Sequence, residues 1–300
     1  MFDFFANIFG YLLNFIYQIV NNYGVAMIIF TIILKLVMLP ISIKQQKTLK
    51  KSAKMQVKVK EIQEKYSNDQ VRQSQELMDL YKRENMSPFS GCLSSIIQFV
   101  IVLSVFYLIS RPLTYMKHID AELLNKYAQT VTESTEGALR YPEIAIIKAM
   151  SDKDENVNIN MDFFGLDLSD IPTQNYQDWK VYIIPLLYVF TSFISIRLTT
   201  KLNKKKEKEE TIKEESVKDV DKTKENSKEK LPVKVEEKQE DKEIDTMEEM
   251  QKQMNIMMPF MAVSIALIAP LGLALYWLVS NLLMIAERLI INKFFKDEEE

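Results

Sequence analysis

Residues 23–43 read YGVAMIIFTIILKLVMLPISI, and the only charge among them is Lys35. A helix that crosses a bilayer needs about 20 mostly apolar residues, so this stretch predicts a transmembrane span. Working outward, 88–110 predicts a second span, carried by FSGCLSSIIQFVIVLSVFYLIS, and 180–198 a third, KVYIIPLLYVFTSFISIRL. The apolar block 254–292 is too long for one crossing. Ala269-Pro270-Leu271-Gly272 breaks it, because Pro and Gly punctuate helices, and it predicts a hairpin of the fourth and fifth spans. The expected fold is all-α: a polytopic membrane protein with five transmembrane helices.

The average composition conceals this pattern. The 300 residues hold 38 Lys+Arg and 41 Asp+Glu, a net charge of −3. Of the 50 residues in 201–250, 31 are charged and none is aromatic. Such a segment cannot bury enough apolar surface to fold alone, so 199–253 reads as a charged, disordered cytosolic loop. The rest of the chain is correspondingly apolar. One Cys excludes a disulfide framework, and one His excludes a His-built metal site and most His-based catalysis. There is no Walker loop, HExxH or nucleophile elbow, so neither an enzyme nor a cofactor is expected.

Between the spans lie segments of different kinds. In 1–22, Asp3, Asn7, Gly10, Asn14, Gln18 and Asn21 recur every three or four residues as one helical stripe, with Phe2, Phe5, Phe9, Leu12, Ile16 and Ile19 on other faces. This predicts an amphipathic helix lying in the membrane interface; a signal peptide would need a basic start, and no Lys or Arg precedes residue 35. Segment 44–87 predicts a cytosolic helical hairpin, with Met55, Val59, Ile62 and Tyr66 on one arm, a turn at Ser67-Asn68-Asp69, and Val71, Leu77, Met78 and Tyr81 on the other. Segment 111–179 is an extracellular loop in which Pro142 opens a short helix, and 293–300 is a cytosolic tail. Basic residues number 11 in 44–87 and 16 in 197–252, but only 7 against 12 acids in 111–180. Cytoplasmic loops carry the excess of Lys and Arg, which places the N-terminus outside and the C-terminus in the cytoplasm of a plasma-membrane protein.

Lys35 lies about 18 Å along its span, near the middle of a hydrocarbon core about 30 Å thick. A charge there is costly, about 2.5–3.5 kcal/mol on insertion scales. Thr31, Lys35 and Ser42 share a helix face, Gln98 is an amide within the second span, and Trp277, Ser280 and Asn281 cluster on the fifth. The expected site is a wet cavity open to the cytosol, lined by Lys35, Thr31, Gln98, Trp277 and Asn281, with helix–helix hydrogen bonding as the alternative for Gln98 and Asn281; no acid of similar depth neutralises Lys35. Glu287 and Arg288 read as a pair at the cytosolic interface. His118 and Cys92 read as ordinary surface and packing residues.

Three segments carry a family resemblance. YGVAMIIFTIILKLVMLPISIKQQKTLKKSAKMQ, MSPFSGCLSSIIQFVIVLSVFY and QMNIMMPFMAVSIALIAPLGLALYWLVSNLLMIAERLIINKFF resemble the corresponding spans of the YidC/Oxa membrane protein insertases. Pro88, Gly91, Cys92, Leu93 and Gln98 match the family's N-P-x-x-G-C-L-P-x-x-x-Q pattern, while Ser87 and Ser94 depart from it. The resemblance implies a five-span fold, of the Gram-positive type, with a hydrophilic groove open to cytosol and lipid. Lys35 occupies the place of the family's groove charge, usually Arg, and Gln98 and Trp277 match groove-side positions. The implied activity is insertion and chaperoning of nascent membrane proteins, with membrane lipids, the Sec translocon and the ribosome as partners. The acidic ending Asp297-Glu298-Glu299-Glu300 departs from a basic, ribosome-binding tail. The rival class is a non-enzymatic small-solute carrier or channel.

Overall fold

The computed structural model describes residues 2–84, 90–133, 140–198, 261 and 263–297, with the side chains of 46–57, 60, 90–96 and 292–297 excepted. The loop read over 199–253 and Pro88 lie outside the described residues, as does the Cys92 side chain. The described chain is mostly helical: α1 (Phe2–Val20), α2 (Tyr23–Lys65), α3 (Gln70–Arg83), α4 (Ser90–Ser110), α5 (Pro112–Tyr115), α6 (Ala121–Glu133), α7 (Pro142–Met150), α8 (183–198), α9 (263–268) and α10 (Leu271–Asp297). It divides into two compact units, Met1–Ile43 with Cys92–Phe193 and Pro259–Glu300, and Lys44–Gly91 with Ile194–Met258.

Three described helices are long and apolar enough to cross a membrane: Tyr23–Gln45, Trp179–Leu198 and Leu271–Ile291. They correspond to the first, third and fifth expected spans. Ile97–Ser110 is a shorter apolar helix. α2 runs past the expected end of the first span, through Pro40 to Lys65.

Within the first unit, the N-terminal ends of two spans gather on one connecting segment. Asn22 caps α2 by accepting from the Val25 N–H at 3.0 Å. The Tyr23 N–H donates to the Asn160 carbonyl at 2.9 Å, the Leu271 N–H to Asp170 at 2.8 Å, and the Gly272 N–H to Leu168 at 3.0 Å. Free N–H groups at helix starts need such acceptors when water is excluded. The third span runs the same way, since Tyr188 meets Trp277 and Thr191 meets Asn281. The first, third and fifth candidate spans are therefore parallel.

Among its described residues, the segment read as a loop, 111–179, carries α5, α6, α7 and two short strands, a departure from an all-α chain. Pro142 stands at the start of α7, and the Thr114 N–H and hydroxyl donate to the Glu143 carboxylate at 2.9 and 2.5 Å, tying α5 to α7. Val157, Ile159, Met161 and Leu168 join the same buried core. Strands β1 (Asp162–Phe163) and β2 (Leu166–Asp167) pair antiparallel. Two-residue strands show no alternation, which is why the sequence pattern hides them.

α1 forms over the expected residues, but its polar stripe does not simply face water. Gly10 is buried against the Tyr115 backbone, and Asp3 accepts from the Tyr115 hydroxyl. Its exposed residues include apolar ones, Phe4, Ile8, Tyr11, Phe15 and Ile19, beside Asp3 and Gln18 of the polar stripe.

In the second unit, Asp69 accepts from the Arg72 N–H at 3.0 Å and caps α3. Arg72 and Lys65 lie over the Tyr66 ring at 5.2 and 5.4 Å. Lys58 pairs with Glu84 at 2.5 Å, an exposed ion pair of the kind that contributes little. Leu80, not the expected Val71 or Met78, is the buried apolar residue of α3; those two stay exposed.

Candidate functional site

The first unit contains a small open recess, lined by Thr31, Leu34, Lys35, Met38 and Ser42 of α2, Gln98 and Ile101 of α4, and Tyr276 and Ser280 of α10. Positions 31, 35, 38 and 42 advance by three and four, so they form one stripe of α2. Positions 276 and 280 do the same on α10. The recess thus collects an ammonium, an amide and three aliphatic hydroxyls, with the Tyr276 phenol beside them, among apolar walls.

The polar groups differ in their freedom. Thr31 is fully buried and its Oγ1 donates to the Met27 carbonyl of its own helix at 2.6 Å. That bond satisfies the hydroxyl locally, as is usual for Thr within a helix. Lys35 is half-buried and Gln98 is exposed. Among the described residues, no hydrogen bond or ion pair holds the Lys35 ammonium. The charges of Glu287 and Arg288 nevertheless act on it.

Trp277 and Asn281 are not among the residues lining the recess. A step of one residue turns a helix by about 100°, so 277 and 281 point elsewhere than 276 and 280. Trp277 packs on the Tyr188 ring of α8 with centroids 5.9 Å apart. Asn281 is buried and its Nδ2 donates to Thr191 Oγ1 at 3.1 Å and Ser192 Oγ at 3.2 Å. These contacts fasten α10 to α8. Two interhelical hydrogen bonds in a membrane are worth about 0.6 kcal/mol each on average. Asn281→Ala is therefore expected to lower the melting temperature in detergent by a few degrees while leaving the recess intact. An unchanged melt would show that this pairing does not hold the helices.

Sequence reasoning missed Tyr276 as a lining residue. The signal was available in the i, i+4 relation of Tyr276 to Ser280, but an isolated Tyr in an apolar run looks like packing. No group of three or more His, Cys, Asp or Glu able to hold a metal occurs among the described residues.

The model of one protein family, the 60Kd inner membrane protein, matches residues 15–218 and 228–299. The chain is 41% identical over 99 residues to a membrane protein insertase YidC of Wigglesworthia glossinidia brevipalpis, covering 33% of this chain and 18% of that protein. It is 44% identical over 103 residues to one from Syntrophus aciditrophicus, covering 34% and 18%. A third, from Citrifermentans bemidjiense, is 25% identical over 286 residues, covering 95% of this chain and 36% of its own length. The matched regions span well under two thirds of these relatives.

Proposed function

Because the chain belongs to the 60Kd inner membrane protein family, the YidC/Oxa family, we propose that it is a membrane protein insertase and chaperone. The recess carries this reading: it puts Lys35 and Gln98 among apolar walls at mid-span depth. Lys35 attracts an acidic residue in the short, outward-bound tail of a client. Water in the groove shortens the hydrocarbon path that the tail crosses. The client's apolar helix then slides into lipid along the protein's flank. No bond is made or broken, so the energy comes from charge attraction and from moving apolar surface out of water.

The clients are nascent membrane proteins and the surrounding phase is lipid; a Sec translocon and the ribosome are further partners in this reading. A photocrosslinker at Gln98 tests it against a ribosome-stalled membrane protein in proteoliposomes. Crosslinks to the emerging client segment, without leakage of small solutes, are expected. Solute flux with no client adduct would favour a carrier or channel.

The proposed topology has five spans, with the N-terminus outside and the C-terminus cytoplasmic. The parallel course of α2, α8 and α10 supports it, because parallel spans require the chain to cross back between each pair. α4, whose Gln98 meets Lys35 while Ile109 lies by Gly272, runs antiparallel and supplies one such return. The segment holding α9 would supply the other. Cysteines placed at residues 60, 130, 225 and 298 should label from the cytosol, the outside, the cytosol and the cytosol respectively. Cytosolic labelling at 130 would overturn the topology.

A further inference from the structure

The tip of the β1–β2 hairpin carries an aromatic ring in an unusual place. Phe164 is 90% exposed, and its φ of +53° lies in the left-handed region, followed by Gly165 at +77°. Two successive positive φ values make the tight hairpin turn that favours Asn, Asp and Gly. A bulky aromatic there is a backbone outlier, held at an energetic cost. Nothing in the hairpin recovers that cost through burial of the ring.

The hairpin's attachment says what the ring meets. The Asn22 side-chain amide donates to the Asp162 carbonyl at 2.7 Å, and the Tyr23 N–H donates to Asn160, so β1 is fastened to the first turn of a membrane span. Phe163 packs against Gly24 so closely that a Cβ on that glycine would come within 2.3 Å of the ring. Phe164 stands edge-on to Phe163, with centroids 4.8 Å apart. The Tyr23–Gln45 span has 23 residues, or about 35 Å at 1.5 Å per residue, slightly more than the hydrocarbon thickness. Its first turn therefore lies at headgroup level, and so does the hairpin tip.

The start of another parallel span shows the same chemistry. Trp179 opens the Trp179–Leu198 span and is 70% exposed, and Tyr176 just before it is 66% exposed. Aromatic rings at span ends sit in the membrane–water interface.

We propose that Phe164 is an interfacial anchor: the hairpin tip inserts its ring among the lipid headgroups and upper acyl chains of the leaflet at the N-terminal ends of these spans. The hairpin thereby sets the height of the 157–173 segment, to which the starts of α2 and α10 are hydrogen-bonded. Lipid is the occupant because the tip is continuous with the span surface. A protein partner would be absent from vesicles of the purified chain.

Phe164→Cys carrying an environment-sensitive fluorophore, in proteoliposomes of phosphatidylglycerol and phosphatidylethanolamine, measures this directly. Spin-labelled lipids with the nitroxide high on the acyl chain should quench it several-fold more than the same fluorophore at Lys153→Cys, an exposed position just before that segment. Aqueous iodide should show the opposite order. Equal iodide access at both positions with no lipid quenching would overturn the anchor and leave the ring for a protein partner. Phe164→Asn, which suits the left-handed backbone, should melt in detergent no lower than the parent protein. A drop of several degrees would show that the ring supports the fold rather than meeting lipid, and would equally overturn the proposal.

Discussion

Lys35→Ala is expected to reduce insertion of clients with acidic tails roughly 5- to 30-fold, the factor that corresponds to about 1–2 kcal/mol. The reasoning is electrostatic. Two unit charges 4 Å apart interact by about 1 kcal/mol in water and about 4 kcal/mol at an effective dielectric near 20. The Lys35 ammonium lies in a half-buried recess with apolar walls, so a client carboxylate should gain several-fold more there than in solvent. Lys35→Arg should keep function, because charge and reach survive. Lys35→Glu should be worse than Lys35→Ala, because Glu287 already contributes one negative charge. Insertion of a single-span client, with its tail acids present or neutralised, separates these effects. Equal insertion by Lys35→Ala and the parent protein across all tails would end the charge-capture mechanism and leave Lys35 as a snorkelling side chain.

The legible and illegible parts of this site differ for geometric reasons. Lys35 was visible because one charge in twenty-one residues needs an explanation, and Thr31 and Ser42 followed from helical spacing on the same face. Gln98 was visible as an amide in an apolar run. Trp277 and Asn281 were assigned to the groove because a polar cluster on one helix does not reveal which of two adjacent faces meets which neighbour. The partner of Asn281 is about 90 residues away in sequence. In the fold, the span positions at α2, α8 and α10 were legible from apolar length alone. The order within 111–179 was less so: α7 was announced by Pro142, but β1 and β2 are too short to carry a period. The residues around them are hydrogen-bonded to the starts of α2 and α10, which are remote in sequence.

Gly10 illustrates the same limit with a larger expected effect. In sequence it looks like one member of a polar stripe. In the fold it is where α1 meets the α5 corner: a Cβ at Gly10 would stand 1.9 Å from the Tyr115 carbonyl oxygen and 2.5 Å from its carbon. Those are backbone atoms, which cannot swing aside as a side chain can. Gly10→Leu must therefore push α1 away from α5. It would break the bond from the Tyr115 hydroxyl to Asp3, and that from the Asn160 N–H to the Tyr17 hydroxyl at 2.8 Å. It would also open Ala6, Leu13 and Met116, all fully buried. Overpacking alone costs about 1–3 kcal/mol, and each lost hydrogen bond about 1 kcal/mol. A total of roughly 3–5 kcal/mol follows, or a melting temperature lower by roughly 6–20 °C for a unit of this size. Gly272→Ala is the matched control, since the nearest atom to a Cβ there is a Tyr23 ring carbon at an ordinary 3.4 Å. It should melt within about a degree of the parent, with the better helix propensity of Ala in its favour. Thermal unfolding of both variants in the same detergent decides the matter. If Gly10→Leu melts like Gly272→Ala, α1 is not held through this glycine, and it lies on the membrane independently of the 112–117 corner.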